Sequence, residues 1–257
     1  MRGISVTETV PAPRPLALDR VAVAIRGLCK RFGRIDAVRD VSLTIPCGIT
    51  YGLLGPNASG KTTLLRVLAG VLKPDSGEVR ALGLAPGEEM RQQTGYMPQA
   101  TGIWDQMTVW ENMRCFAGIQ GVTSKAQMEE ALELVGLKDQ MHRVVRDLSI
   151  GMQRRASLAC ALVHRAPLLL LDEPTIGVDL AVRVHFWEHF RRLNEGGVTI
   201  VLSTHAMDEA ERCHRLGIMR EGRLLAEGTP DELREGSGTS SLEDAFLHLV
   251  EERIAPA

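Results

Sequence analysis

The stretch Gly55-Pro56-Asn57-Ala58-Ser59-Gly60-Lys61-Thr62-Thr63 constrains this chain more than any other. It matches G-x-x-x-x-G-K-[ST], and its flanks matter as much as the match: an apolar run over 49–54 leads in and a helical pattern over 64–72 leads out. Strand, loop and helix in that order are what a phosphate cradle needs. Glycines let the backbone wrap so that successive N–H groups aim at phosphate oxygens, and the emerging helix adds the positive end of its dipole. Lys61 then reaches the outer phosphates of a nucleotide. Thr62 offers a hydroxyl to Mg²⁺, a small hard cation that takes few protein ligands. The simpler alternative is a glycine-rich turn, so the rest of the chain has to decide.

Composition removes several classes of function. Lys+Arg 30 against Asp+Glu 32 leaves a net charge of -2, without the basic excess that nucleic-acid binding asks for. Apolar stretches such as 168–171 fall far short of the roughly 20 residues of a spanning helix. Residues 1–20 carry Pro11, Pro13 and Pro15 but no apolar core of the secretory type, so they read as a mobile arm and the protein as cytoplasmic. Five cysteines, Cys29, Cys47, Cys115, Cys160 and Cys213, form no C-x-x-C pair, which favours reduced thiols over a zinc knuckle or a disulfide frame.

Alternation predicts strands over 21–25 and 41–45, with Lys30-Arg31-Phe32-Gly33 between them. Phe32 is either a core aromatic or a platform on which an adenine ring stacks. Further strands are expected over 78–82 and 94–99. The period then changes to 3.6: Thr108-Val109-Trp110-Glu111 opens one helix with a capping box, Ser124 opens a second that stops at Gly136, and Ser149 caps a third running to Val163. Residues 101–165 therefore read as a helical lobe. Trp104, Met107, Trp110, Met113 and Phe116 cluster near its start, either as its core or as a groove for a partner helix. The start of the Ser149 helix, beside Gly151, offers free N–H groups to an anion, although an ordinary capped helix explains it equally well.

Leu168-Leu169-Leu170-Leu171-Asp172-Glu173 has the unbroken apolar run of a central parallel strand, with two carboxylates at the edge where open α/β sheets bind ligands. Neighbours on a strand point to opposite sides, so the two acids have separate work. Asp172 suits Mg²⁺ and Glu173 suits a general base, an action worth about 10²–10⁴ in rate. A helix over 180–194 contains His185-Phe186-Trp187-Glu188-His189, an H-x-x-E-H match that two histidines on a solvated face explain better than a zinc site. A strand over 198–202 ends on Ser203-Thr204-His205, which puts His205 at the same sheet edge. A hairpin around Glu221-Gly222, a short helix capped by Thr229, a linker over 236–240 and a helix over 242–250 complete the chain.

In this order the pieces resemble the nucleotide-binding domain of ATP-binding-cassette (ABC) proteins over roughly residues 20–230. The resemblance implies an α/β P-loop NTPase core with a mixed sheet, an antiparallel β subdomain and an inserted α-helical subdomain, with the domain over 21–235 and a linker and helix over 236–257. It implies that Gly55 to Thr63 and Phe32 bind ATP, and that Gln99 senses Mg²⁺ and the γ-phosphate. Thr62, Gln99 and Asp172 would hold Mg²⁺. Glu173 would be the base, His205 the switch histidine and Asp179 a dimer contact, with Lys61 on the phosphates. Leu148-Ser149-Ile150-Gly151-Met152 is similar to the family signature Leu-Ser-Gly-Gly-Gln but departs from it at Ile150 and Met152. Ala58 departs from the usual Gly. Ser149 and Gly151, which would touch the γ-phosphate of a second subunit, are retained. The wording Gly95-Tyr96-Met97-Pro98-Gln99 and the ending Ser241-Leu242-Glu243-Asp244-Ala245-Phe246-Leu247 look like the bacterial exporter branch. That branch implies polytopic membrane subunits as partners, a homodimer in the simplest case, and a place on the cytoplasmic face of the cell membrane. A non-transport ABC switch of the translation or DNA-repair type is the alternative; such proteins carry a coiled-coil insertion or a second cassette, which this sequence does not show.

Overall fold

The computed structural model describes residues 20–252, so the arm expected over 1–20 lies, Arg20 apart, outside the described residues. Strand β1 (Val21–Phe32) pairs antiparallel with β2 (Ile35–Pro46). After β3 (Thr50–Leu54) and helix α1 (Lys61–Leu68), β4 (Ser76–Ala81) joins the free side of β1, giving a three-stranded sheet in the order β2-β1-β4. Both hairpin strands outrun the alternation seen over 21–25 and 41–45. Their outer halves stand in water, where Arg31 faces Asp36 and exposed Phe32 faces exposed Ile35, so no apolar period marks them. Bulges at Gly27 (φ 57°) and Asp40 (φ 51°) break the register further.

Helix α2 (Glu88–Gln92), which no sequence signal announced, leads to β5 (Thr94–Met97). Then come α3 (Val109–Ile119), α4 (Lys125–Leu134), α5 (Ile150–Leu162), β6 (Leu168–Asp172), α6 (Leu180–Glu195) and β7 (Thr199–Thr204). Helix α7 (Met207–Ala210), strands β8 (Arg215–Arg220) and β9 (Arg223–Gly228), and helices α8 (Pro230–Ser237) and α9 (Leu242–Glu252) follow. The second sheet has the order β5-β6-β7-β3-β8-β9, parallel except for the β8–β9 hairpin.

Strand β6 shows why the run of leucines is continuous. Leu168 and Leu170 enter the cluster shared with α1 and the three-stranded sheet, whereas Leu169 and Leu171 enter the one shared with α5 and α6. Burying each of the four stabilises the fold by about 1.5–3 kcal/mol. Polar residues on either face would open one of the two cores.

Caps set several helix limits. Thr108 accepts from the Glu111 N–H at 3.1 Å while Glu111 accepts from the Thr108 N–H at 2.8 Å, the reciprocal box read from the sequence. Ser124 and Ser149 cap α4 and α5. Helix α1 stops earlier than the pattern to residue 72 suggests, because Gly70 turns left-handed at φ 65°. Helix α8 runs through Ser237 to the left-handed Gly238, so the linker begins later than residue 236. Glu221 and Gly222, with φ of 50° and 79°, form the positive-φ turn that joins β8 to β9.

The two histidines of α6 do not share a solvated face. His185 is exposed, with Nδ1 3.7 Å from a Glu188 oxygen, but His189 is half-buried and desolvation pushes its pKa down to about 4. His189 lines a cleft shared with α4 and the end of α5, a long-range neighbourhood that a local pattern does not record. Among the described residues no group of three or more His, Cys, Asp or Glu could hold a metal ion, none of the five cysteines is in a disulfide, and no helix is long and apolar enough to cross a membrane.

Candidate functional site

Adjacent parallel strands β6, β7 and β3 end on one edge of the sheet. Strand β3 delivers the loop over 55–63, β6 delivers Asp172 and Glu173, and β7 delivers Thr204 and His205. Ligands of open α/β sheets bind beyond this edge. A cleft of about 520 Å³ opens there, lined by Phe32, Ile35, the loop from Asn57 to Thr63, Gln99 and Glu173. Phe32 comes from the three-stranded sheet and is 48% exposed, so its ring is available at the cleft wall. Gln99, two residues beyond β5, stands exposed on the opposite flank.

The loop is built for close approach. Gly60 has φ 102°, and a Cβ there would lie 2.5 Å from the Ala37 carbonyl, so no other residue fits. Ala58 takes φ 63°, the left-handed region in which an L residue with a Cβ is strained by about 1–2 kcal/mol. Ala58→Gly removes that strain and adds about 0.5–1 kcal/mol of chain entropy to lose on folding. The strain wins, so the variant is expected to melt no lower than the parent. Thermal melting checks this; a clearly lower melting temperature for the glycine variant contradicts it.

Lys61 is buried, and its ammonium donates to the Gly55 carbonyl at 2.6 Å and the Pro56 carbonyl at 2.9 Å. Burial lowers its pKa, while the nearby Glu173 and Asp172 carboxylates act the other way. Thr62 Oγ1 donates to Asp172 Oδ1 at 3.1 Å, and Ser203 Oγ donates to the same oxygen at 2.5 Å. Asp172 Oδ2 is buried without a protein partner. An unpaired carboxylate oxygen beside a hydroxyl is a hard donor set. It fits a small divalent cation that completes its shell with water and phosphate.

Glu173 leaves the strand in a left-handed conformation, φ 51°. Its N–H donates to Ser203 Oγ at 2.9 Å and its carbonyl accepts from Arg154 Nη1 of α5 at 3.1 Å. The buried carboxylate places Oε1 3.4 Å from His205 Nδ1. These bonds hold a backbone state that by itself costs about 1–3 kcal/mol. Asp172 and Glu173 thus face different partners, one toward Thr62 and the other toward His205.

Ser149, Gly151 and Asp179 do not line this cleft. Ser149 and Asp179 are exposed at the starts of α5 and α6, where they accept from the N–H groups of Met152 at 3.3 Å and Val182 at 3.1 Å. A Cβ on Gly151 would lie 2.4 Å from the Gly177 carbonyl, so glycine there is required by packing within this chain. Ile150 beside it is 71% exposed.

Ser203 and Arg154 escaped the sequence reading although they fix Glu173. Ser203 and Thr204 did leave a trace: two buried hydroxyls follow the apolar run over 200–202 at the end of the strand. Arg154 left none.

Comparison with known proteins agrees with this geometry. The ABC transporter family model matches residues 38–176, more than half of the chain. The chain is 38% identical over 239 residues to the probable multidrug ABC transporter ATP-binding protein YbhF of Escherichia coli, covering 89% of the chain but only 41% of that relative. It is 40% identical over 225 residues to the Nod factor export ATP-binding protein I of a Rhizobium species, covering 85% of the chain and 74% of the relative. Among solved structures, a dimeric post-hydrolysis state of the ATP-binding cassette MJ0796 bound to ADP and Pi superposes with a TM-score of 0.76 at 26% identity, over 80% of this chain and 98% of that one. With the phosphate loop, paired acids and histidine gathered on one sheet edge, the chain belongs to the ABC transporter family.

Proposed function

We propose that this chain binds ATP with Mg²⁺, closes against a second ATPase subunit, and hydrolyses the ATP to drive export through separate polytopic membrane subunits. The observation that carries the reading is the convergence of Lys61, Thr62, Asp172, Glu173 and His205 on one edge of a parallel sheet. Phe32 stacks the adenine, the loop N–H groups and Lys61 hold the phosphates, and Thr62, Asp172 and Gln99 hold the cation. Magnesium there offsets phosphate charge. Glu173 accepts a proton from the attacking water, and His205, in reach of Glu173, orients it toward the γ-phosphate.

Ser149 and Gly151 fit this scheme as the second half of the site. They stand outside the cleft, yet Ser149 is exposed at a helix start whose N–H groups suit an anion. Two chains set head to tail would place this helix start over the partner's nucleotide, with Asp179 at the contact. The MJ0796 cassette, a structural relative, is a dimer holding ADP and Pi.

Export follows from the relatives, whose names speak of multidrug transport and Nod factor export. The membrane subunits dock near Gln99 and the aromatic cluster. Trp104 there is 48% exposed and meets Phe116 at a tilt, with ring centroids 5.4 Å apart, while Met113 is fully buried, so the cluster serves both as core and as surface. On this reading the protein is a peripheral subunit at the cytoplasmic face of the cell membrane. Tagged protein purified in detergent from its native cells is expected to retain a polytopic membrane subunit, and a Trp104→Glu variant to lose it; purification free of any such subunit contradicts the transport reading.

A further inference from the structure

Glu209, in the turn of helix after β7, is a buried acid behind the site to which that mechanism gives no work. Its side chain is buried, and its two carboxylate oxygens divide between two chain segments. One accepts from Thr175 Oγ1, the other from Thr204 Oγ1 at 2.7 Å. Both threonines are buried at 2% exposure. Thr175 stands two residues after Glu173, and Thr204 immediately precedes His205. The Thr204 hydroxyl also accepts from the Ala206 N–H at 3.0 Å, so its proton is committed to Glu209.

Enclosing a carboxylate costs several kcal/mol, which an aliphatic side chain at this contact would avoid. Burial accordingly raises the Glu209 pKa, against the pull of Thr204 and of the Arg183 charge. What an aliphatic residue cannot do is accept from two hydroxyls on different chain segments at once. We propose that Glu209 is a positioning residue, a clamp through Thr175 and Thr204 that fixes the turn bearing Glu173 relative to the turn bearing His205. The 3.4 Å separation of Glu173 Oε1 and His205 Nδ1 is then set by the Thr175–Glu209–Thr204 bridge beneath it. Thr204 extends the frame to the phosphate loop, because its carbonyl accepts from the Gly55 N–H at 3.3 Å.

The clamp rests on the ATP-hydrolysis reading, and the test separates the two. Thr175→Val keeps the volume and removes the hydroxyl; Glu209→Ala removes the acceptor; Glu209→Gln keeps a hydrogen-bonding group for each threonine. Since small misplacements of a catalytic group cost up to about 10²-fold, Thr175→Val and Glu209→Ala are each expected to lower kcat about tenfold or more with KM for ATP within about twofold. The double variant falls no further than Glu209→Ala alone, and Glu209→Gln recovers to within about threefold of the parent. Additive losses, a loss confined to nucleotide affinity, or parental turnover in a folded Thr175→Val variant overturns the clamp. A parent protein that hydrolyses no ATP overturns the hydrolysis reading instead.

Discussion

Replacing Glu173 by Gln is expected to lower ATP turnover by about 10²–10⁴-fold while nucleotide affinity stays within a few-fold of the parent. The carboxamide has the shape of the carboxylate and tolerates the same φ of 51°, so the backbone N–H still donates to Ser203 and the carbonyl still accepts from Arg154. What is lost is a proton acceptor beside His205. Because phosphoryl transfer depends mainly on positioning and charge stabilisation, the remaining site still binds and encloses ATP. The variant therefore accumulates as an ATP-bound dimer, visible by light scattering or native mass measurement. Turnover undiminished by the substitution would remove Glu173 from the base role.

Lys61→Ala acts on binding. The buried ammonium carries three donors, two of which reach the Gly55 and Pro56 carbonyls, so it shapes the loop and keeps a third donor for a phosphate. Losing its charge-assisted bonds at about 1.5–3 kcal/mol each weakens nucleotide binding by roughly 10²–10³-fold. Burial already disfavours the charged form, so the fold itself gives up little and the melting temperature of the nucleotide-free protein stays within a few degrees of the parent. Titration with a non-hydrolysable ATP analogue measures the effect; near-parental affinity contradicts the assignment of Lys61 to the phosphates.

Local patterns made the phosphate loop, the Asp172-Glu173 pair and the strand ending at His205 legible, because each lies within a few residues of a strand end. The same patterns misjudged β1 and β2, whose exposed halves are held by pairing across the hairpin. They also missed the frame around Glu173. Ser203 lies 30 residues away from it in sequence and Arg154 lies 19 away, while the Thr175–Glu209 bond spans 34, separations that leave no periodicity. Ala58 falls between these cases. Its residue type is visible as a departure from glycine, but the strain it carries depends on a backbone angle that only the fold defines.

In the proposed function each nucleotide site takes its loop from one chain and its Ser149 helix from another, and complementation between two inactive variants tests this. A Lys61→Ala chain keeps its Ser149 helix but loses its own loop; a Ser149→Phe chain keeps its loop but loses its signature. Each variant alone is expected to be inactive. In a mixed dimer one site combines both lesions and the other combines neither. With two-fold symmetry, random pairing at equal amounts makes half of the dimers mixed, so the mixture should recover about a quarter of the parental ATPase rate. An inactive mixture in which mass measurement detects mixed dimers would contradict the account, because it would place loop and signature of one site on the same chain.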